Sequence, residues 1–466
     1  MKRLFLFAWG PLPSESRARP CPLGRRAWQL AQSLQRAGHE VAMLVVHADE
    51  APSSNRTRAA GIAVQHVSEH DCHERPWELA DRVRAFGPDG VVAVGREAAA
   101  IAVNHVGQLP MWSDLESAPL LEAQATAARG VGDWTLNEAY RKLVPVLLRS
   151  DHISTRTHAH RAAVLGQLGM LGRLIAKNEG YEFVSVVPAS LDVEELDGFR
   201  GIERRLRRPS DPFYLLWSGA FHPWADLDVL FEVVETLLTE CAQLEFAAVG
   251  PPVASMAAEV ARFTQKVRHS PFHDRIDLPG WVDDEELAAR YARADAALFV
   301  ERIGSQSVFG ARARALDWMA AGLPVVCTNS TETSGELASI GAAITVPPGA
   351  VLGLRDGVRR LMDEPEDALA RGLSGRRHAR AHRLTDHTLS PLLIWARQPH
   401  RAPGGEERAT LDWQPSTLRR HAATLRGHLA NEGPAGTIAV AGRFVARRLG
   451  QGVVSTVDRM AEPDER

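Results

Sequence analysis

The sequence has 466 residues, which is too long for one ordinary hydrophobic core and fits two domains plus an appendage. Hydrophobic residues make up 45% and charged residues 24%, which excludes a disordered or fibrous chain. The formal net charge of −3 gives no general attraction to phosphates, so we expect no nucleic-acid partner.

The cysteine spacing and the apolar runs bear on the compartment. The cysteines form no C-x-x-C pair, which argues against a disulfide framework or a zinc knuckle: Cys21, Cys72, Cys241 and Cys327. The first apolar run stops at Gly10 and Pro11, before it reaches signal-peptide length. No stretch is long enough to cross a bilayer. We therefore expect a cytoplasmic protein whose membrane contact, if any, is peripheral at the inner face.

The first half of the chain alternates between strand and helix patterns. A predicted strand at 4–9 is followed by a Pro/Ser/Arg/Gly loop, a helix at 25–36 and a strand at 41–46. Short apolar runs recur further along, at 90–94, 110–112, 152–154 and 184–187, with a helical pattern at 134–144 among them. This alternation predicts a doubly wound parallel sheet over residues 1–200.

The second half repeats the pattern after a charged, Gly-containing linker at 197–211. Strands are predicted at 213–217, 244–249, 275–278, 296–300, 324–328 and 343–346. Helices are predicted at 227–239, 253–267, 284–292 and 312–321. We interpret residues 201–400 as a second α/β domain with its own parallel sheet.

The segment 401–466 forms a basic appendage with a helical pattern. Arginines stand among apolar residues there: Arg419, Arg420, Arg426, Arg443, Arg447 and Arg448. This pattern suits an amphipathic helix at an anionic membrane surface, and it suits equally a helix packed on the enzyme body.

Two segments follow strands of the second domain, where doubly wound sheets bind their ligands. Segment 216–226 contains a small-residue turn at Gly219, which lets backbone approach a phosphate. Segment 301–328 leads into a helix on which Arg314 and Asp317, three apart, share one face. Arg312 would point away from that face in a continuous helix, so it must lie at the helix mouth to reach the same ligand.

These segments resemble the nucleotide-sugar glycosyltransferases of family 4 type, in particular a branch associated with bacterial surface polysaccharide clusters. The resemblance spans roughly 1–400, and it is strongest at 217–226, 280–282, 294–296 and 312–324, with weaker matches at 26–31, 38–41, 114–122, 165–173 and 187–188. It implies the α/β GT-B fold: two Rossmann-like doubly wound parallel-sheet domains, the first on the acceptor side and the second holding the donor.

The resemblance also implies roles for individual residues. Asp317 stands where the family usually has the last Glu of its E-x7-E motif, which binds the donor ribose. Arg314 would then lie near the diphosphate and stabilise charge on the leaving group, with Arg312 as the next candidate. Phe309 occupies the position of the motif's first Glu, for which Glu301 or Gln306 could substitute. The further donor-binding residues implied are Gly24, Gly219, Ala220, Trp224, Asp226, Gly250, Trp281, Val282 and Glu301.

Three other groups of residues admit a functional and a structural interpretation. Asp114 follows a predicted strand of the first domain, where its carboxylate could meet the acceptor hydroxyl or cap the next helix. Gly24 and Gly219 could serve the ligand or only a tight turn. The run His70 to Glu74 carries metal-capable side chains, but adjacent residues rarely converge on one ion, so we interpret it as a polar loop.

The sequence therefore predicts a hexosyltransferase-like glycosyltransferase acting in cell-surface polysaccharide or glycoconjugate assembly. Its expected partners are a nucleotide-sugar donor and a glycan, lipid-linked or small-molecule acceptor. The resemblance implies retention of anomeric configuration, no obligatory metal and no cofactor besides the donor. Two alternatives remain: a GT-B nucleotide-sugar epimerase, and a catalytically inactive nucleotide- or glycan-binding assembly protein, which Phe309 motivates. An oxidoreductase is disfavoured because 10–24 contains no G-x-G-x-x-G.

Overall fold

The computed structural model describes residues 1–408 except 14, 16–20, 49–55, 200, 209–210 and 406. The predicted helix of the appendage and its six arginines therefore lie outside the described residues. Within the described part of the chain, no helix has both the length and the apolar character that a membrane crossing needs.

The first domain is built on an eight-stranded sheet in the order β3-β4-β2-β1-β5-β6-β7-β8. Its strands are β1 (Arg3–Trp9), β2 (Glu40–His47), β3 (Arg56–Ala59), β4 (Ile62–Ser68), β5 (Gly90–Val94), β6 (Met111–Leu115), β7 (His152–Thr155) and β8 (Val184–Val186). Its helices are α1 (Pro22–Arg36), α2 (Glu69–Glu74), α3 (Pro76–Phe86), α4 (Arg96–Val103), α5 (Pro119–Thr126), α6 (Trp134–Arg149), α7 (His158–Met170) and α8 (Val193–Gly198). All neighbouring strands are parallel except β3 and β4, which pair antiparallel.

The second domain is built on a six-stranded, fully parallel sheet in the order β11-β10-β9-β12-β13-β14. Its strands are β9 (Phe213–Ser218), β10 (Leu244–Val249), β11 (Ile276–Gly280), β12 (Ala296–Phe299), β13 (Val325–Thr328) and β14 (Ala343–Val346). Its helices are α9 (Leu227–Glu240), α10 (Ala257–His269), α11 (Asp284–Arg293), α12 (Ser305–Phe309), α13 (Arg314–Ala321), α14 (Glu332–Ser339), α15 (Val351–Asp363) and α16 (Pro365–His382). The short α17 (Thr385–Thr388) and α18 (Ser390–Arg397) follow.

Both faces of the first sheet are covered, which explains why its strands are continuous apolar runs. Along β1, Phe5 and Phe7 enter one hydrophobic cluster, whereas Leu4, Leu6 and Ala8 enter the cluster on the opposite face. This is the period-2 alternation of a strand. The prediction of two doubly wound parallel-sheet domains is confirmed.

The end of the described chain returns to the first domain. Leu389, Leu392 and Trp395 of the α17–α18 region are buried in the same cluster as Leu4 and Leu6 of β1. After α18, residues 401–408 show no helix among those described. The side chain of Arg401 donates to Asp151 at 3.0 Å instead. The predicted domain limits of 201–400 and 401–466 did not anticipate that the α17–α18 region packs on the first domain.

The run His70 to Glu74 forms a helix, α2, and the prediction of a loop there is wrong. Ser68 caps the helix by accepting from the backbone N–H of Asp71 at 3.0 Å. Asp71 also pairs with Arg75, and Cys72 is buried in the core. Short-range capping therefore decides the local structure.

Candidate functional site

The turns after β9 and β10 pack closely against each other through two glycines, Gly219 and Gly250. Gly219 has φ +106° and Gly250, after the neighbouring strand β10, has φ +141°. A Cβ at residue 250 would lie 2.3 Å from the carbonyl oxygen of Gly219. Both positions therefore require glycine for the backbone to pack, and the turn brings Ala220 next to α13.

Arg314, the first residue of α13, packs into this turn. Its Nη2 donates to the carbonyl of Ala220 at 3.0 Å, and its guanidinium carbon lies 5.3 Å from the ring centres of both Trp217 and Phe299. Its Nη1 is enclosed and has no hydrogen-bond partner among the described residues. Burial lowers the pKa of Arg314 to about 10, so the side chain is charged at neutral pH. One enclosed donor of a half-buried cation is thus left unused.

Arg312 lies just before α13 and is fully engaged. It forms a two-pronged ion pair with Glu301, which follows β12, and its Nη2 also donates to Gln306 at 3.0 Å. The side chains of Arg312 and Glu301 are 4% and 0% exposed. Glu301 accepts a further hydrogen bond from Ser330 at 2.9 Å. This arrangement fills the donors of Arg312 from within the protein and leaves few for a ligand.

Asp317 stands one turn after Arg314 on the same helix. Its Oδ1 lies 3.8 Å from Nη2 of Arg25, which α1 of the first domain presents across the interdomain cleft. Asp317 accepts no hydrogen bond from any residue that the structure describes, although only 20% of its side chain is exposed. Burial raises the pKa of its carboxyl. Two acceptor oxygens are therefore available at this point of the cleft.

Aromatic rings lie on the other side of the β9 turn. Trp224 and His222 stack with ring centres 4.4 Å apart and planes inclined by 4°. The guanidinium of Arg312 lies 4.9 Å from the centre of the Trp224 ring. Burial, with help from Arg314 and Arg312, lowers the pKa of His222 to about 3, so the imidazole is neutral. Asp226 caps α9 by accepting from the N–H of Val229 at 3.3 Å.

A cavity of about 450 Å³ opens beside these rings, between the two domains. His222, Trp224 and Val253 line it from the second domain, and Glu122 and Trp134 from the first. Burial raises the pKa of the Glu122 carboxyl, and the positive charges of nearby Arg96 and Arg312 offset part of this increase. A neutral imidazole and a carboxyl thus face one interdomain space.

The structure places Asp114 away from this space. Asp114 is 1% exposed at the end of β6, and it accepts from Nε of Arg26 at 3.0 Å and from Nη2 of Arg26 at 3.3 Å. Ser154 donates to the same carboxylate at 2.5 Å. Arg26 also holds the carbonyls of Val187 and Pro188. The position thus gives no support to the predicted contact with an acceptor hydroxyl, because both oxygens are bound internally.

The remaining predicted residues divide between packing and the cleft. A Cβ at Gly24 in α1 would lie 2.0 Å from the carbonyl oxygen of Pro11, so this glycine lets helix and loop touch. Trp281 is 44% exposed after β11, and Val282 packs partly against the second core. The carbonyl of Phe309 accepts from Thr157 of the first domain at 2.8 Å. Phe309 therefore joins the domains through its backbone.

Three cleft residues were not among the predicted site residues: Arg25, His222 and Glu122. Arg25 and Glu122 belong to the first domain, and only the folded interface brings them opposite α13 and the β9 turn. His222 lies within the segment that follows β9, which the sequence did indicate. Nothing in the local sequence, however, predicts that its ring stacks on Trp224. Their proximity depends on tertiary structure.

The chain has two parallel-sheet domains, and loops of the second sheet meet α1 of the first domain in a cleft. This arrangement defines the GT-B architecture. Residues 212–364 match the family model described as "Glycosyl transferases group 1". No curated protein sequence matches the chain significantly.

Solved structures share the fold over most of both chains. Sucrose-phosphate synthase from Thermosynechococcus elongatus superposes with a TM-score of 0.63 at 14% identity, covering 85% of this chain and 99% of that one. HepE from Anabaena, in complex with UDP and glucose, has a TM-score of 0.56 at 15% identity, covering 84% and 99%. WaaG, a glycosyltransferase involved in lipopolysaccharide biosynthesis, has a TM-score of 0.55 at 14% identity, covering 84% and 99%. The fold is that of GT-B glycosyltransferases.

Proposed function

We propose that the chain is a glycosyltransferase that moves a sugar from a nucleoside diphosphate sugar onto an acceptor bound in the interdomain cleft. The observation that carries this proposal is the pair of unused groups on one face of α13. Arg314 keeps an unpaired guanidinium donor. One turn further on, the carboxylate of Asp317 accepts no hydrogen bond from any described residue and has only the distant ion pair of its Oδ1 with Arg25, at 3.8 Å. A cation and a carboxylate at that spacing match a diphosphate next to a ribose diol.

The donor's diphosphate contacts Arg314 and the backbone of the Gly219–Ala220 turn in this proposal. Positive charge there stabilises the leaving diphosphate as the glycosidic bond breaks. Arg312 does not contact the diphosphate in this proposal. Its ion pair with Glu301 orders the segment before α13, and its guanidinium packs against the ring of Trp224. The match of residues 212–364 to a glycosyltransferase family model supports placing the donor on the second domain.

The acceptor lies on the side of the first domain, near Glu122 and Trp134, and faces His222 of the second domain. A hexose donor and retention of configuration are part of the proposal, as is transfer without an obligatory metal or a further cofactor. Similarity in fold to HepE, whose structure holds UDP and glucose, supports a hexosyl transfer. Similarity to WaaG supports a role in the assembly of cell-surface polysaccharide or glycoconjugate.

The experiment is a panel of labelled nucleotide sugars incubated with purified full-length protein and a set of glycan, lipid-linked and small-molecule acceptors. Transfer of label to one acceptor, with release of nucleoside diphosphate, supports the proposal, and NMR of the product reports the anomeric configuration. Conversion of the donor to an epimer, without transfer, would identify an epimerase instead. Tight nucleotide binding with neither reaction would identify a binding protein for assembly.

A cytoplasmic location is proposed from the cysteine spacing and the lengths of the apolar runs. Peripheral contact with anionic lipid is a separate proposal, because it rests on the basic residues beyond residue 408. Flotation with anionic vesicles tests it. Loss of flotation when 409–466 is removed supports lipid contact, and equal flotation with and without this segment contradicts it.

A further inference from the structure

Three polar side chains outside the donor site converge at the carboxyl edge of the first sheet: Glu15, His47 and His66. His47 ends β2, and His66 lies in the neighbouring parallel strand β4, where it pairs with Val45. Residues 45 and 47 project from the same face of β2, so the two imidazoles meet on one face of the sheet. Glu15 reaches them from the loop between β1 and α1, and all three ligand atoms lie within 4.8 Å of one another.

The distances within this group match a metal site. Nε2 of His47 lies 3.1 Å from Nδ1 of His66, which in turn lies 3.2 Å from Oε1 of Glu15. Zinc bonds of about 2.0–2.1 Å in a tetrahedron place ligand atoms roughly 3.3 Å apart. Two of the three separations thus match the edge of a zinc tetrahedron, and the third, between His47 and Glu15, is no longer than 4.8 Å.

Hydrogen bonding alone does not satisfy these atoms. Oε1 of Glu15 is enclosed and accepts no hydrogen bond from any described residue, although it lies close to His66. An ion at the centre would satisfy that oxygen and both facing nitrogens at once. Burial lowers the pKa of both histidines, which keeps their imidazoles in the neutral form that binds metals.

The surroundings orient the group. The second oxygen of Glu15 accepts from the backbone N–H of Leu12 at 2.8 Å, and Nε2 of His66 lies 3.4 Å from the hydroxyl of Thr57. Such outer contacts fix ligand orientation in metal sites. A Cβ at Gly10 would lie 2.9 Å from Cε1 of His47, so the glycine leaves room for the ring.

We propose that Glu15, His47 and His66 bind a divalent transition metal ion of the zinc class, tying the β1–α1 loop to strands β2 and β4. Two imidazoles and one carboxylate suit zinc better than magnesium or calcium, which prefer all-oxygen sites. Three protein ligands leave one tetrahedral position open to water or to an oxygen of a ligand. The site lies in the first domain, apart from the residues assigned to the donor, so it does not depend on the proposed transfer reaction.

The test is metal titration of the chelator-treated full-length protein, with Zn²⁺ by calorimetry and with Co²⁺ by its visible absorption. We expect one equivalent to bind, Co²⁺ to give the intense spectrum of tetrahedral coordination, and His47→Gln, His66→Gln and Glu15→Gln each to weaken binding at least tenfold. His73→Gln on α2 is the matched control and should bind like the wild type.

Two results would overturn the proposal: wild-type binding no tighter than that of the His47→Gln/His66→Gln double variant, or a Co²⁺ spectrum that His47→Gln leaves unchanged. Glu15 lies on a loop and not in a strand, so Glu15→Gln keeps the test decisive if a histidine variant fails to fold. Circular dichroism of each variant establishes that it is folded.

Discussion

Gly219 and Arg314 are fitted to each other, since a Cβ at residue 219 would lie 2.9 Å from Cζ of the arginine. The same turn supplies the carbonyl of Ala220 that accepts from Arg314. The β9 turn and the start of α13 therefore behave as one unit. A change on either side should disturb the place where we propose that the diphosphate binds.

Replacing Gly219 by alanine should weaken nucleotide binding at least tenfold. The new methyl group displaces Arg314, and the φ of +106° adds backbone strain of about 1–3 kcal/mol. Gly341→Ala is the matched control, because Gly341 also has positive φ, +71°, but a Cβ there meets nothing within 4 Å. Both variants should lose thermal stability, and only Gly219→Ala should lose affinity in a titration. Equal nucleotide affinities for the two variants would contradict this account.

Replacing Arg314 by methionine should lower turnover more than donor affinity. The charge on the diphosphate grows as the glycosidic bond breaks, so losing this contact should cost about 3 kcal/mol in the transition state, or roughly a hundredfold in kcat. Lysine should rescue turnover only in part, because it lacks the planar fork. Arg262→Met, at an exposed position on α10, is the control. Steady-state kinetics with the true donor and acceptor measure kcat and the donor KM. A near-normal kcat for Arg314→Met would contradict the role proposed for Arg314 at the diphosphate.

Replacing Asp114 by asparagine should chiefly destabilise the first domain. It leaves the Arg26 guanidinium, 2% exposed, without its counter-charge, which typically costs about 3–5 kcal/mol. The double variant Arg26→Met/Asp114→Leu should recover much of that loss, as measured by chemical denaturation. A contradictory result would be an Asp114→Asn protein of wild-type stability that has lost turnover, since that is the behaviour of a residue acting on the acceptor.

Acid should destabilise the protein partly through His152. This ring stacks on Trp112 with centres 4.1 Å apart, and burial lowers its pKa to about 3. The unfolded chain takes up the proton near pH 6.5 and the folded chain does not, so stability is complete above that pH and falls as the pH falls. The loss between pH 8 and pH 5 should be about 2 kcal/mol for this one group.

The variant His152→Phe keeps a ring on Trp112 and removes the titration. Its free energy of unfolding should therefore fall less between pH 8 and pH 5 than that of the wild type, whatever its absolute value. His73→Gln, at an exposed position, should show the wild-type difference. An unchanged difference in His152→Phe would show that other groups control the acid response.

Much of the fold could be predicted because buried parallel strands have distinct local patterns. The strand β10 was predicted at its observed bounds, Leu244–Val249, and β9 to within one residue. The antiparallel pair β3–β4 was missed, since Arg, Thr, Gln and His interrupt its apolar pattern. The return of α18 to the first domain was missed because an amphipathic helix does not indicate which sheet its apolar face will cover.

The predicted site residues lie close together in the structure chiefly where the chain itself brings them together. Arg314 and Asp317 lie on one helix, so their shared face follows from spacing. Arg312 pairs with Glu301, 11 positions away in the sequence, and Asp114 pairs with Arg26, 88 positions away. Sequence spacing cannot predict such contacts. The group of Glu15, His47 and His66 was missed for the same reason, since a loop and two strands contribute one residue each.

The measurement that tests the central claim most directly is equilibrium binding of a panel of nucleoside diphosphates to the wild type, to Asp317→Ala and to the control Glu285→Gln. Asp317 is proposed to hold the ribose, whereas Glu285 is an exposed acidic residue on α11 of the same domain. We predict that at least one nucleotide binds the wild type and the control equally, and that Asp317→Ala weakens it at least tenfold while the protein stays folded. No binding of any nucleoside diphosphate, or equal affinity in all three proteins, would contradict the claim that α13 holds a nucleotide-sugar donor.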